Sequence, residues 1–131
     1  MDTFRGGCLC GDVRFVASAH PYRVGLCHCL DCRKHHGTLC YAFAIFPEAA
    51  VKVEGKTGAY AGRHFCPRCG SSPFAHDGGD EIEVSLGALD GPNQLAPTYE
   101  CWTIRREAWL APLAAAKQYE RDRDTARRTE P

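Results

Sequence analysis

Nine of the 131 residues are cysteine, and seven of these fall into three knots: Cys8 and Cys10 in CLCG, Cys27, Cys29 and Cys32 in CHCLDC, and Cys66 and Cys69 in CPRCG. No other feature constrains the fold as tightly, because thiols at such spacings are metal-ligand pairs and must converge. In CPRCG a tight loop can turn both sulfurs to one point, and the glycine that follows can take the left-handed conformation that lets backbone N–H groups face them. In CLCG the spacing is shorter, but residues i and i+2 of an extended segment point to the same side, and Gly11 again follows. The two knots therefore read as halves of one closed four-thiolate site tying the N-terminal strand to a distant hairpin.

The middle knot is left with three sulfurs and no partner knot, and no glycine follows its last cysteine directly. Structural zinc sites are closed by four protein ligands, whereas catalytic ones keep three and leave a position for water or substrate. An open three-cysteine site is one reading. Closure by His28, His35, His36 or Cys40 is another, and a single zinc with ordinary middle thiols is a third. The expected cofactor is zinc, two ions per chain, although four thiolates also suit iron.

Composition narrows the compartment and the partners. The start, MDTFRGGC, lacks a basic patch followed by an apolar core, and the longest apolar run, Leu39 to Phe46, is too short to span a bilayer. The expectation is a cytoplasmic protein with no membrane partner, in which cysteines bind metal or react rather than form disulfides. Sixteen basic residues balance sixteen acidic ones, so no global field draws the chain to nucleic acid.

Short alternating segments bounded by Gly, Pro and Asp predict strands at 12–17, 22–26, 39–46, 51–54, 64–66, 73–75, 81–86 and 99–104. The fold class is mainly β, with small antiparallel sheets tied by a structural zinc. Helical pattern is confined to a turn after Cys32, another near Glu107 to Leu110, and the tail. Residues 1–113 form the expected zinc-binding domain, and 114–131 a charged tail, helical or lying on the surface.

Taken in order, GGCLCGDVRF, CHCLDCRKHHG, RHFCPRCG, LGALDGP and a late REAW resemble the glutathione-dependent formaldehyde-activating enzyme family, whose domain is shared with centromere protein V. The resemblance runs from about Phe4 to Pro112. It implies a mostly antiparallel, β-tent-like fold and a structural zinc on Cys8, Cys10, Cys66 and Cys69. It also implies a second, catalytic zinc on Cys27, Cys29 and Cys32, open to the thiol of glutathione. The implied reaction joins glutathione to a small aldehyde, forming or cleaving S-(hydroxymethyl)glutathione, and is that of a carbon–sulfur lyase. Two places differ from the family's pattern: His35 and His36 stand where many members have small or hydroxyl residues, and Tyr99 or Glu100 replaces a common histidine.

Around such a site, Arg33 and Arg63 are the expected substrate-binding residues, since arginine takes carboxylates in bidentate fashion and glutathione carries two. Arg63 fits the family's arginine before its FC. His35, with an imidazole suited to transfer near neutrality, is the expected proton shuttle. His28, between two ligands, is read as a spacer, and Cys101, Trp102 and Trp109 as packing. Competing functions are a non-catalytic zinc module that binds a protein, and a redox sensor whose thiolates release zinc on oxidation.

Overall fold

The computed structural model describes residues 2–131. Eleven strands are described: β1 (Phe4–Gly7), β2 (Arg14–Ala17), β3 (Arg23–Cys27), β4 (Tyr41–Pro47), β5 (Val51–Glu54), β6 (Gly58–Tyr60), β7 (Arg63–Phe65), β8 (Phe74–Ala75), β9 (Glu81–Ser85), β10 (Tyr99–Cys101) and β11 (Lys117–Gln118). They form a small sheet, β1-β2-β5, and a large one, β11-β10-β3-β4-β9-β8-β7-β6. All pairings are antiparallel except that β10 runs parallel to both β3 and β11.

The apolar run YAFAIFP becomes β4, the strand between β3 and β9. Alternation along it feeds two cores. Ala44 and Phe46 join Phe4, Phe15, Val84 and Cys66 on one side, while Tyr41, Phe43 and Ile45 join Tyr99, Tyr119, Cys27 and Cys32 on the other. A strand covered on both faces needs a continuous apolar run. Each core thus borders one set of knotted cysteines, with Cys10 alone exposed.

The turn expected after Cys32 is a seven-residue helix, α1 (Leu30–His36). Cys29 caps it, its Sγ accepting from the Cys32 N–H at 3.3 Å. Near Glu107 the chain makes a turn closed by the Leu110 N–H on the Glu107 carbonyl. The strand expected through Ile104 stops at Cys101, because Trp102 adopts a positive φ of 56° and a 3-10 turn follows.

The tail is a correction to the sequence reading. Residues 114–131 contain no helix; β11 lies beside β10, and the remainder runs back across the large sheet. Tyr119 is buried, its hydroxyl donating to Glu130 at 2.8 Å, while Asp122 accepts from the Trp102 indole and Arg128 pairs with Asp80. Helix propensity is overridden because Tyr119, the tail's one large apolar anchor, is buried in the second core.

Candidate metal centres and an adjoining cleft

The loop between β1 and β2 and the loop between β7 and β8 bring Cys8, Cys10, Cys66 and Cys69 together, with their sulfurs within 4.8 Å of one another. Cys10 Sγ lies 3.6 Å from Cys8 Sγ and 3.7 Å from Cys66 Sγ. A tetrahedron with metal–sulfur bonds of about 2.3 Å has edges of about 3.8 Å, so the donor set fits zinc in type and in spacing. Gly11 and Gly70 adopt φ values of 88° and 81°, with nothing near a Cβ added at either. Conformation, rather than space, demands glycine there. The turns so formed send the Gly70 N–H to the Cys66 carbonyl, and the Val13 N–H reaches Cys8 Sγ at 3.2 Å.

Protons are unevenly shared in this set. Ser71, through its hydroxyl and its N–H, draws Cys69 down to about 5. Cys10 is lowered by a backbone N–H at Asp12, yet desolvation and the neighbouring thiols push it up to about 12. An incoming ion must displace such protons, so metal uptake here is coupled to pH.

The second set forms where β3 runs into α1. Cys27, Cys29 and Cys32 have their sulfurs within 4.8 Å of one another, and Cys27 and Cys32 are buried. Three thiolates again fit zinc by donor chemistry. Among the histidines offered for closure, His28 Nε2 pairs with Glu100 Oε1 at 2.7 Å, His35 Nε2 with Ser72 Oγ at 2.7 Å, and the His36 ring stacks on Tyr41 at 3.8 Å. Burial and the positive charges of His35 and Arg63 lower His36 to about 4, so its ring is neutral at pH 7. Cys40 is not among the clustered thiols; Cys101, opposite Cys27 across β10 and β3, donates to the Leu26 carbonyl at 3.5 Å, and its nearby thiol raises the Cys27 pKa.

Cys32 opens onto a cleft of about 440 Å³ shared with Arg63, His76, Asp80, Glu81 and Glu83. A row of directly opposed residues crosses five strands, Arg23, Ile45, Glu83, Ala75 and Arg63, and the last four form the cleft floor. The Arg63 guanidinium beside Cys32 lowers that thiol against the stronger upward pull of Cys27 and burial. Arg33 turns elsewhere, pairing with Glu107 at 2.8 Å and donating to the Arg105 carbonyl. Of the expected substrate-binding and proton-shuttling residues, the structure brings Arg63 into the cleft, and puts Arg33 against Glu107 and His35 against Ser72.

Glu100 is a residue that sequence reasoning missed. It is buried and accepts from His28, from the Leu113 N–H and from Gln118, with Arg106 at 3.3 Å. Burial alone would raise its pKa, but Gln118, His28, Leu113 and Arg106 hold it down to about 2. This carboxylate links the metal loop to the C-terminal segment. The one signal available in the sequence was an acid inside the alternating strand TYEC.

Against known proteins, the family model described as "Glutathione-dependent formaldehyde-activating enzyme" matches residues 3–105. A curated protein of Halomonas elongata that bears this family's name is 36% identical over 87 residues, which cover 55% of each chain. The chain thus spans about half the length of that relative. A crystal structure of a Rhodobacter sphaeroides protein superposes with a TM-score of 0.50 at 23% identity, over 69% of this chain and 91% of that one, and shows a shared fold. With both cysteine sets assembled on a mainly β scaffold, and with the match extending over most of its length, the chain belongs to the glutathione-dependent formaldehyde-activating enzyme family.

Proposed function

We propose that the protein binds a zinc ion at each cysteine set and uses the three-cysteine one to add the thiol of glutathione reversibly to a small aldehyde. The product is an adduct such as S-(hydroxymethyl)glutathione, and the activity is that of a carbon–sulfur lyase. The observation that carries this reading is the convergence of Cys27, Cys29 and Cys32 at the edge of a cleft that also contains Arg63. Zinc held by three thiolates would favour a further soft sulfur ligand and keep a thiol deprotonated near neutrality.

The chain's own residues supply the rest. Arg63, beside Cys32, offsets the negative charge of the sulfurs and presents a planar fork to a carboxylate of the tripeptide. The cleft confines the aldehyde beside the sulfur, which raises its effective concentration. Arg33, bonded to Glu107, braces α1 and with it the position of Cys32.

A second reading rests on Cys101. Its sulfur lies beside Cys27, and if it completed the set the protein would be a zinc-stabilised binding module. Metal analysis with glutathione titration separates the two. The enzyme reading expects about two zinc ions, glutathione binding that is lost in Cys29→Ser and kept in Cys101→Ala, and accelerated exchange between formaldehyde and glutathione by NMR. Loss of zinc in Cys101→Ala, without any glutathione binding by the unaltered protein, refutes it.

A further inference from the structure

Adding a thiolate to a carbonyl carbon leaves negative charge on oxygen, and a donor within reach must neutralise it. The lining of the Cys32 cleft offers few. Arg63 does not release its proton at working pH. Asp80 pairs with Arg128, which lowers its pKa, and Glu81 is engaged by Arg23 at 2.9 Å. Asp77 and His76 are tied to the N–H and the carbonyl of Gly79 at the rim. Glu83 is different: among the described residues it forms no ion pair, and it is half-buried on the cleft floor between Ile45 and Ala75.

Ser85 Oγ donates to the Ser72 carbonyl at 2.7 Å, so its contact with the Tyr41 hydroxyl at 3.0 Å must be one in which Tyr41 donates. The Tyr41 proton is thereby committed. Glu83 lies next to the same hydroxyl. Burial raises the Glu83 pKa, outweighing the lowering by Tyr41, Arg63 and Arg23.

We infer that Glu83 is the acid–base residue of this cleft, giving a proton to the aldehyde oxygen during addition and retrieving it during cleavage. The inference rests on the function proposed above. During addition the sulfur lone pair forms the C–S bond, the carbonyl π pair moves to oxygen, and the Glu83 O–H proton follows it. The proton lost by the incoming thiol restores Glu83. In cleavage the carboxylate takes the hydroxyl proton, the C=O bond re-forms, and the C–S pair returns to sulfur.

The test compares the zinc-loaded wild type with Glu83→Gln, which keeps size and polarity but cannot transfer a proton. Matching circular dichroism and zinc content establish that the variant is folded. The expected result is a fall in kcat of about a hundredfold or more, with KM for glutathione changed less than about threefold. Wild-type addition should decline at high pH as Glu83, which faces Tyr41, Arg23, Arg63, Glu81 and His76, ionises, and this limb should vanish in Glu83→Gln. Difference infrared spectra should show a neutral carboxylic-acid band that persists to higher pH than that of an ordinary glutamate and that the variant lacks. A variant within threefold of the wild type, or absence of that band, overturns the assignment while leaving the proposed function standing. A wild type that does not accelerate exchange overturns both.

Discussion

Glu100→Gln removes a charge from a site where His28 and Arg106 converge with two neutral donors. The carboxylate is held at about 2 against an ordinary 4.5. That difference corresponds to about 3 kcal/mol of stability at neutral pH. It agrees with the about 3–5 kcal/mol lost when one partner of a buried pair is removed. Because the folded pKa is the lower one, this stability is fully present above about pH 4.5 and disappears as pH falls toward about 2. Urea unfolding followed by circular dichroism should therefore give a wild-type-minus-variant gap of about 3 kcal/mol at pH 7, equivalent to about 10 °C in Tm. The gap should close between about pH 4.5 and about 2. Zinc loss in acid affects both proteins and cancels in the difference. A gap under about 1 kcal/mol at pH 7, or one that does not change with pH, would refute the reasoning.

Cys66→Ser should leave a protein that is unfolded or aggregated, read as loss of the cooperative thermal transition, because a metal bound at the four-cysteine set would contribute folding free energy directly. Cys29→Ser should instead stay folded with one zinc fewer by metal analysis; equal unfolding of both variants would argue against separate roles. Tyr119→Ala should cost about 3 kcal/mol in urea, since it empties a buried position in the second core, whereas a tail lying loosely on the surface would give almost no change. Gly70→Ala should destabilise by about 1–2 kcal/mol through its left-handed φ alone, with zinc content unchanged.

How much of this was legible follows from how local each feature is. The cysteine pairs announce themselves because ligand spacing and a trailing left-handed glycine are short-range requirements, and β4 does so because a strand covered on both faces must be apolar throughout. β1 and β6, FRGG and GAY, carry too little side-chain pattern to be seen. Glu83 reads in EIEVS as the polar half of an alternating strand, and an alternating acid is normally a solvated one. Only the assembly of β3, β4, β8 and β7 around it makes that face the floor of a cleft. Glu100 and His28 acquire their roles from a parallel pairing between strands far apart in sequence.

The sequence by itself determined that there are two cysteine sets able to hold a metal, how their thiols divide, and that the chain is mainly β. Tertiary structure alone decided which charges surround the three-cysteine set, where Arg33 and His35 are held, and that the tail is woven into the large sheet. The reason is physical: sulfur spacing acts within a single loop, whereas withdrawal from water, ion pairing and proton affinity depend on what other strands bring to the same place.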